Sequence, residues 1–222
     1  MIALTDLSLS FLKRPAEPEP GRAPWLLVLM HGVGSNEHDL MGLAPFVPAQ
    51  FHVISLRAPF VMGPGAYAWF QFTVDADGTR HIDVQQEQQA RKLVQQAVEQ
   101  AARLLDIPSG RVVVGGFSQG GIMALSQLLT QPQTLRAAMA WHSRLLPEVL
   151  PQQAPDAALA GKSLWVSHGT YDNVIPLTSA HAIRDRAKRL PLNLCYQEYP
   201  GAHEIRPEEL RASMQWLGDL AR

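Results

Sequence analysis

The sequence has a single cysteine and no long apolar run. Because Cys195 is alone among 222 residues, an internal disulfide is impossible and cysteine-based metal sites are excluded. No window approaches the roughly 18 apolar residues that a membrane-spanning helix requires, and the N-terminus lacks the basic and apolar regions of a signal peptide. We therefore expect a cytoplasmic protein without stable membrane insertion, in which Cys195 is a buried structural thiol.

An excess of charge of either sign is also missing. The formal net charge is −1, so no global field steers the protein towards nucleic acid or an anionic membrane. The composition, 46% hydrophobic and 18% charged, is ordinary for a globular protein. The length predicts one domain over residues 1–222, and the balance of charge favours a small-molecule partner.

The order of apolar patterns predicts an α/β fold. Continuous apolar runs at residues 25–30 and 111–117 suit strands that are buried on both faces, and a 3.6-residue period over 86–105 predicts an amphipathic helix. Residues 57–82 are expected to be irregular. The alternation predicts a mostly parallel central sheet with helices on both faces and a ligand site beyond the carboxyl ends of its strands. The remaining predicted strands are 7–12, 51–56, 137–141, 163–168 and 193–199, and the remaining helices are 119–129, 176–190 and 207–220.

A candidate nucleophile lies between a predicted strand and a predicted helix. Residues 116–120 read Gly-Phe-Ser-Gln-Gly, which matches the G-x-S-x-G turn, where Gly116 and Gly120 would avoid a collision between strand and helix. A glycine-rich turn of a nucleotide-binding fold is the alternative, but no G-x-G-x-x-G or P-loop lysine follows. We predict that Ser118 is the nucleophile.

The base and the acid are predicted from position and chain order. His203 follows the last predicted strand, where a histidine can take the serine proton near neutral pH. Asp172 follows the penultimate strand, where it could orient the imidazole or cap the helix that begins near Pro176. The order Ser118, Asp172, His203 is that of the α/β-hydrolases, and it favours the catalytic interpretation.

An oxyanion hole needs two preorganised N–H donors. We predict that one is the backbone N–H of Gln119, directly after the nucleophile. The other should come from residues 31–34, His-Gly-Val-Gly, which follow a predicted strand. We select Val33, because its glycine neighbours let the backbone turn its N–H inward.

Together these motifs resemble the small carboxylesterase, lysophospholipase and acyl-protein thioesterase group of the α/β-hydrolases. The resemblance extends over nearly the whole chain, through residues 30–34, 116–121, 168–176 and 201–204. It implies a compact α/β-hydrolase domain without a large lid, hydrolysis of an ester or thioester, no metal and no organic cofactor. Because homodimers are frequent in this group, the resemblance also allows a homodimer.

Residues near the acyl site are inferred from the same resemblance. Trp69 and Phe70 are similar to the group's Trp-aromatic segment, which implies substrate binding. Two positions depart from the group: Gln71 stands where an acidic residue is usual, and residues 142–144 read His-Ser-Arg where the group tends to read Ser-Gly. Arg144 could narrow the pocket or favour anionic substrates, or it could form a surface ion pair.

These observations lead to one principal hypothesis and two alternatives. The principal hypothesis is a serine hydrolase that cleaves carboxylic esters of short to medium acyl chains through an acyl-enzyme. An acyl thioesterase or lysophospholipase is the alternative among enzymes. A non-catalytic ligand-binding protein on a hydrolase fold is the other, but it would normally have lost part of the triad or an elbow glycine, and all are present.

Overall fold

The computed structural model describes residues 7–76 and 80–222. The first six residues, on which the expectation of no signal peptide partly rests, lie outside the described residues. So do residues 77–79, within the segment that is expected to be irregular. None of the described helices is both long and apolar enough to cross a bilayer.

A seven-stranded sheet forms the centre of the molecule. Its strands are β1 (Phe11–Arg14), β2 (Trp25–Met30), β3 (Phe51–Leu56), β8 (Val112–Phe117), β9 (Ala137–Trp141), β10 (Ser163–Gly169) and β11 (Asn193–Tyr199). They lie in the order β1-β3-β2-β8-β9-β10-β11, and every pairing is parallel except that of β1 with β3. The predicted mostly parallel sheet is therefore confirmed.

Helices cover both faces of the sheet, because side chains alternate across a strand and each face is apolar. The helices are α1 (Glu37–Met41), α2 (Val84–Leu104), α3 (Gln119–Thr130), α4 (Asp156–Leu159), α5 (Leu177–Ala187) and α6 (Pro207–Leu220). Apolar side chains of α2, α3 and α5 share one core with the sheet. Those of α1 and α6 share a second core with its other face.

The segment 57–82 is more regular than expected. It contains β4 (Phe60–Gly63), β5 (Ala66–Ala68), β6 (Phe72–Val74) and β7 (Arg80–Ile82), which form two antiparallel hairpins. Strands of three or four residues are too short to display a two-residue period in the sequence. A bridge between Ser35 and Tyr67 ties the first hairpin to the loop that follows β2.

Candidate active site

The turn between β8 and α3 holds Ser118 in a strained conformation. Its φ of 55° and ψ of −118° are unusual for a residue with a side chain, and its N–H donates to the carbonyl of Trp141 at 2.9 Å. A Cβ atom at Gly116 would lie 2.2 Å from the Gly120 carbonyl, and one at Gly120 would lie 1.9 Å from the Met30 oxygen. Only glycine allows this approach of helix to sheet, so these two residues lift Ser118 to the rim.

The structure brings the three predicted triad residues together. Ser118 Oγ is 2.9 Å from His203 Nε2, and His203 Nδ1 is 2.7 Å from Asp172 Oδ2. A carboxylate only accepts hydrogen bonds, so Nδ1 carries the proton and Nε2 is free to accept from the serine hydroxyl. This is the protonation state in which an imidazole can act as a base towards Ser118.

Asp172 is held as an anion. Its Oδ1 accepts from the N–H groups of Val174 and Ile175, each at 2.9 Å. Burial by itself raises the pKa of Asp172, but hydrogen bonds from His203, the Ile175 N–H and the neighbouring His142 outweigh burial, and the pKa lies below its ordinary value. The same hydrogen bonds fix the orientation of the Asp172 carboxylate, so that it stays directed at the His203 imidazole.

A second histidine–carboxylate pair lies behind Asp172. His142 Nδ1 is 3.0 Å from Asp172 Oδ2, and its Nε2 is 3.2 Å from Glu209 Oε2. Glu209 also accepts from Ser167 Oγ at 2.6 Å and from the Arg206 N–H at 3.2 Å. His142 is 1% exposed and Glu209 is 0% exposed. The hydrogen-bonded chain therefore continues past Asp172 into the core.

No role was predicted from the sequence for His142 or Glu209, although two signals were present. His142 directly follows β9 and therefore lies at the carboxyl edge of the sheet, and Glu209 is an acidic residue in the first turn of the last helix. Burial lowers the pKa of His142, but the hydrogen bonds and charges of Glu209 and then Asp172 outweigh it, so the pKa lies above its ordinary value. His142 has a φ of 50°, a left-handed conformation that costs free energy.

The two residues that are predicted to supply the oxyanion donors line the same pocket as the nucleophile. Val33 and Gln119 line it together with Ser118. Within the described ranges, neither backbone N–H donates to a protein acceptor, as expected for Gln119 at the first position of a helix. Gly34, with a φ of 82°, turns the loop and donates to the Tyr67 carbonyl at 2.8 Å.

The Gln119 side chain fastens the Trp-aromatic segment to the nucleophile helix. Gln119 Oε1 accepts from the Trp69 N–H at 2.8 Å, and Nε2 donates to the Phe70 carbonyl at 2.7 Å. Trp69 Nε1 in turn donates to the carbonyl of His31 at 2.8 Å. Trp69 is 0% exposed and packs behind the loop that contains Val33, whereas Phe70 lines the pocket.

Two concavities of different size meet at this site. A small pocket of about 60 Å³ contains Ser118, and a wide open groove of about 830 Å³ begins at Val33 and Phe70 and runs over the two hairpins. The small pocket is lined by Val33, Phe70, Phe72, Arg80, Ser118, Gln119, Ile122, Arg144, Val174 and Ile175. The groove includes the exposed apolar side chains of Val61, Met62 and Phe72.

The side chains of His142, Asp172 and His203 lie close enough together to bind a metal ion. Ligand atoms of His142, Asp172 and His203 lie within 4.8 Å of one another. Hydrogen bonds from each imidazole Nδ1 to Asp172 Oδ2 already account for this proximity. The cluster is therefore explained as a hydrogen-bond network, in which each ring nitrogen facing the carboxylate carries a proton.

The sheet order, the parallel strands and a site at their carboxyl edge define an α/β-hydrolase. Residues 17–219 match the phospholipase/carboxylesterase family, and the chain belongs to that family. It is therefore an ester-hydrolysing enzyme, as the resemblance seen in its motifs implied.

Individual relatives agree with this assignment. The Oryza sativa subsp. japonica protein named "Probable carboxylesterase Os04g0669600" is 27% identical over 218 residues, which cover 90% of this chain and 88% of that protein. The Bacillus cereus carboxylesterase structure has a TM-score of 0.79 at 22% identity, with 96% of this chain and 94% of the other covered. The Mesorhizobium loti carboxylesterase structure has a TM-score of 0.80 at 20% identity, with 97% of each chain covered. At these identities the two structures show the fold.

Proposed function

We propose that this enzyme is a serine carboxylesterase that acts through an acyl-enzyme, with Ser118 as nucleophile, His203 as base and Asp172 as the acid that orients the base. The observation that carries the proposal is the unbroken hydrogen-bonded chain from Ser118 Oγ through both nitrogens of His203 to Asp172 Oδ2. A non-catalytic binding protein would have no use for the strained turn at Ser118, which costs about 1–3 kcal/mol.

The reaction follows from the positions of the donors and acceptors. Ser118 Oγ attacks the ester carbonyl while His203 Nε2 takes the hydroxyl proton, and the tetrahedral oxyanion that forms is stabilised by the N–H groups of Val33 and Gln119. The intermediate collapses as His203 returns the proton to the leaving alkoxide, which departs as the alcohol. Water, activated by the same imidazole, then attacks the acyl-enzyme, and the acid and Ser118 are released.

The size of the pocket favours short to medium acyl chains. The small pocket beside Ser118 has a volume of about 60 Å³, which is less than half of the roughly 150 Å³ cavity that accepts benzene in other proteins. The buried residues Phe70, Ile122 and Ile175 form part of its lining. A longer chain would have to lie in the open groove, where it would stay largely in contact with water and gain less from burial.

Active-site labelling combined with a substrate panel tests this proposal. A fluorophosphonate probe should add to the intact protein once, and peptide mass analysis should place the adduct on Ser118, because only an activated serine reacts with it. Nitrophenyl esters from acetyl to palmitoyl should give the highest kcat/KM with the shorter chains. Failure of the probe to react, together with absence of ester turnover, would favour the ligand-binding alternative.

The same panel separates the enzyme alternatives. An acyl thioester and a lysophospholipid should both be poorer substrates than a nitrophenyl ester of short chain. A higher kcat/KM for the thioester or the lysolipid would identify the enzyme as a thioesterase or lysophospholipase while leaving the roles of Ser118 and His203 unchanged.

A further inference from the structure

Arg144 is fixed beside the nucleophile by its neighbour. Ser143 Oγ donates to the Ser118 carbonyl at 3.1 Å, which ties the segment after β9 to the nucleophile turn. Arg144 is half-buried and lines the small pocket with Ser118 and Gln119. Its cationic side chain therefore belongs to the pocket wall and not to a distant surface.

The Arg144 guanidinium forms no ion pair with any residue in the described part of the chain. Arg80 lines the same pocket, where it donates to the Val174 carbonyl at 2.7 Å and lies over the Phe72 ring. No acidic side chain lines this pocket among the described residues. Glu148 is close enough for its charge to raise the pKa of Arg144, but burial, followed by repulsion from Arg80, outweighs it and lowers that pKa.

Two cations that face one small pocket without a carboxylate create a site for an anion. A half-buried guanidinium has lost some of its hydrogen bonds to water. A carboxylate can replace them with charge-assisted and often bidentate hydrogen bonds. We propose that the pocket binds a carboxylate of the substrate and that the preferred substrates are esters carrying a carboxylate a few bonds from the scissile bond, such as half-esters of short dicarboxylic acids. This inference rests on the proposed function, because it places the anion relative to Ser118.

Matched pairs of esters test the proposal. Nitrophenyl hemisuccinate and nitrophenyl butyrate differ by a carboxylate in place of a methyl group on the acyl side, and carboxymethyl butyrate and ethyl butyrate differ in the same way on the alcohol side. In the wild-type enzyme at least one anionic ester should exceed its neutral partner in kcat/KM by about tenfold or more, as expected for a hydrogen bond to a charged group. The pair that shows the preference identifies which side of the ester meets Arg144.

Substitution of Arg144 supplies the matched comparison. Arg144→Gln should lower the ratio of kcat/KM for the anionic ester to kcat/KM for its neutral partner by about tenfold or more, because only the anionic ester forms a charge-assisted hydrogen bond with the guanidinium. The control is Arg189→Gln, because Arg189 is exposed two residues beyond the end of α5 and is not among the residues that line the pocket. Succinate should protect wild-type Ser118 from the fluorophosphonate probe, and it should fail to protect Arg144→Gln.

Each contrary outcome has a distinct meaning. Equal preference ratios in the wild type and Arg144→Gln would overturn the anion site while ester turnover and labelling of Ser118 persist. The site would also be wrong if Arg144→Gln and Glu148→Gln lowered the melting temperature equally without changing the ratio, because Arg144 would then serve only to pair with Glu148. If the wild-type enzyme neither reacted with the probe nor hydrolysed the neutral esters, the proposed function itself would be wrong.

A separate observation concerns His142. Both of its ring nitrogens meet a carboxylate, since Nδ1 faces Asp172 and Nε2 faces Glu209. Both carboxylates accept hydrogen bonds from other donors as well, Asp172 from two backbone N–H groups and Glu209 from Ser167 and a backbone N–H. A ring that donates to a carboxylate from each of its nitrogens carries both protons, and such a ring is an imidazolium.

We infer that His142, as a buried cation held by Glu209, is a positioning residue that keeps the Asp172 carboxylate aimed at His203. The other groups that face His142 are the His168 ring, stacked at 5.2 Å, the His203 ring, edge-on at 5.7 Å, and the Phe117 ring at 5.6 Å. Burial lowers the pKa of His168; its Nε2 donates to the Ile175 carbonyl at 2.8 Å, and its buried Nδ1 has no hydrogen-bond partner among the described residues. The cation therefore has Asp172 and Glu209 as its only acidic contacts among the described residues.

Kinetics of His142→Gln test the inference. Glutamine can donate to one carboxylate but carries no charge, so kcat on nitrophenyl butyrate should fall about tenfold, the scale of one charge-assisted hydrogen bond, while KM changes little. In the wild type, kcat should also fall as pH rises through the raised pKa of His142, because the cation is lost. This alkaline limb should be absent from the variant.

The control is Ser213→Ala on the same helix as Glu209. Ser213 is fully buried, and within the described part of the chain its Oγ donates to the Leu210 carbonyl alone, so the variant tests packing without touching Asp172. The positioning role would be refuted if His142→Gln had the same kcat as the wild type and if its kcat still fell at alkaline pH. A loss of stability at unchanged kcat would show that His142 serves only the fold.

Discussion

Replacement of Ser118 by alanine is expected to lower kcat/KM on nitrophenyl butyrate by about 10⁴–10⁶-fold, because no acyl-enzyme can form and only the oxyanion donors and substrate binding remain. The Oγ atom that is removed is the one 2.9 Å from His203 Nε2. The variant should keep the wild-type circular dichroism spectrum, since the Ser118 hydroxyl makes no other hydrogen bond to the described residues. Initial rates and active-site titration measure the effect.

Two comparisons make this result specific. Ser126→Ala removes another buried serine of α3 and should leave kcat/KM within about twofold, as expected for a residue that contacts no reacting group. Asp172→Ala should cost less than Ser118→Ala, because the nucleophile and the oxyanion donors remain. Near wild-type turnover by Ser118→Ala would remove this residue from the mechanism.

The second large effect is expected on stability. Gly120→Ala would place a Cβ 1.9 Å from the Met30 oxygen and 2.7 Å from the His31 oxygen, and both are backbone atoms that cannot rotate away. Helix α3 would have to move off the sheet, at a cost of more than about 4 kcal/mol. For a chain of this size that corresponds to a fall in melting temperature of about 8–16 °C, or to failure to fold.

Gly110→Ala is the matched control. A Cβ at Gly110 meets no atom within 4 Å, and the backbone there does not have a positive φ, so the melting temperature should stay within about 2 °C of the wild-type value. Differential scanning calorimetry of both variants makes the comparison. A Gly120→Ala protein as stable as Gly110→Ala would show that helix and strand do not meet as closely as the structure indicates.

Much of the central sheet could be predicted because its strands are bounded apolar runs. Predicted strands 51–56, 137–141 and 193–199 coincide with β3, β9 and β11, and the last helix coincides with α6. The first strand is predicted at 7–12 but is Phe11–Arg14 in the structure, since an edge strand with one covered face carries a weaker pattern. The short helices α1 and α4 escape prediction, because five residues or fewer show no helical period.

The triad residues were predictable for a related reason. Ser118 directly follows a predicted strand, and Asp172 and His203 each come four positions after the end of one. Because parallel strands end at one edge of the sheet, chain order alone implied that the three residues converge. The same logic applied to His142, which follows β9, but the sequence does not say which of the residues at an edge point towards one another. The distance of 67 positions between His142 and Glu209 leaves no local pattern to link them.

Periodicity, glycine spacing and the order of chemical residues along the chain therefore determined the class of fold, the nucleophile turn and the identity of the three residues that meet there, since each is written in local sequence. Folding decided which remote side chains became neighbours. It buried Trp69 behind the loop of Val33, brought Arg144 and Arg80 into the lining of one pocket, and enclosed His142 between two carboxylates. Such contacts depend on how strands and helices pack in three dimensions, where a small rotation changes a partner, and no one-dimensional pattern records that geometry.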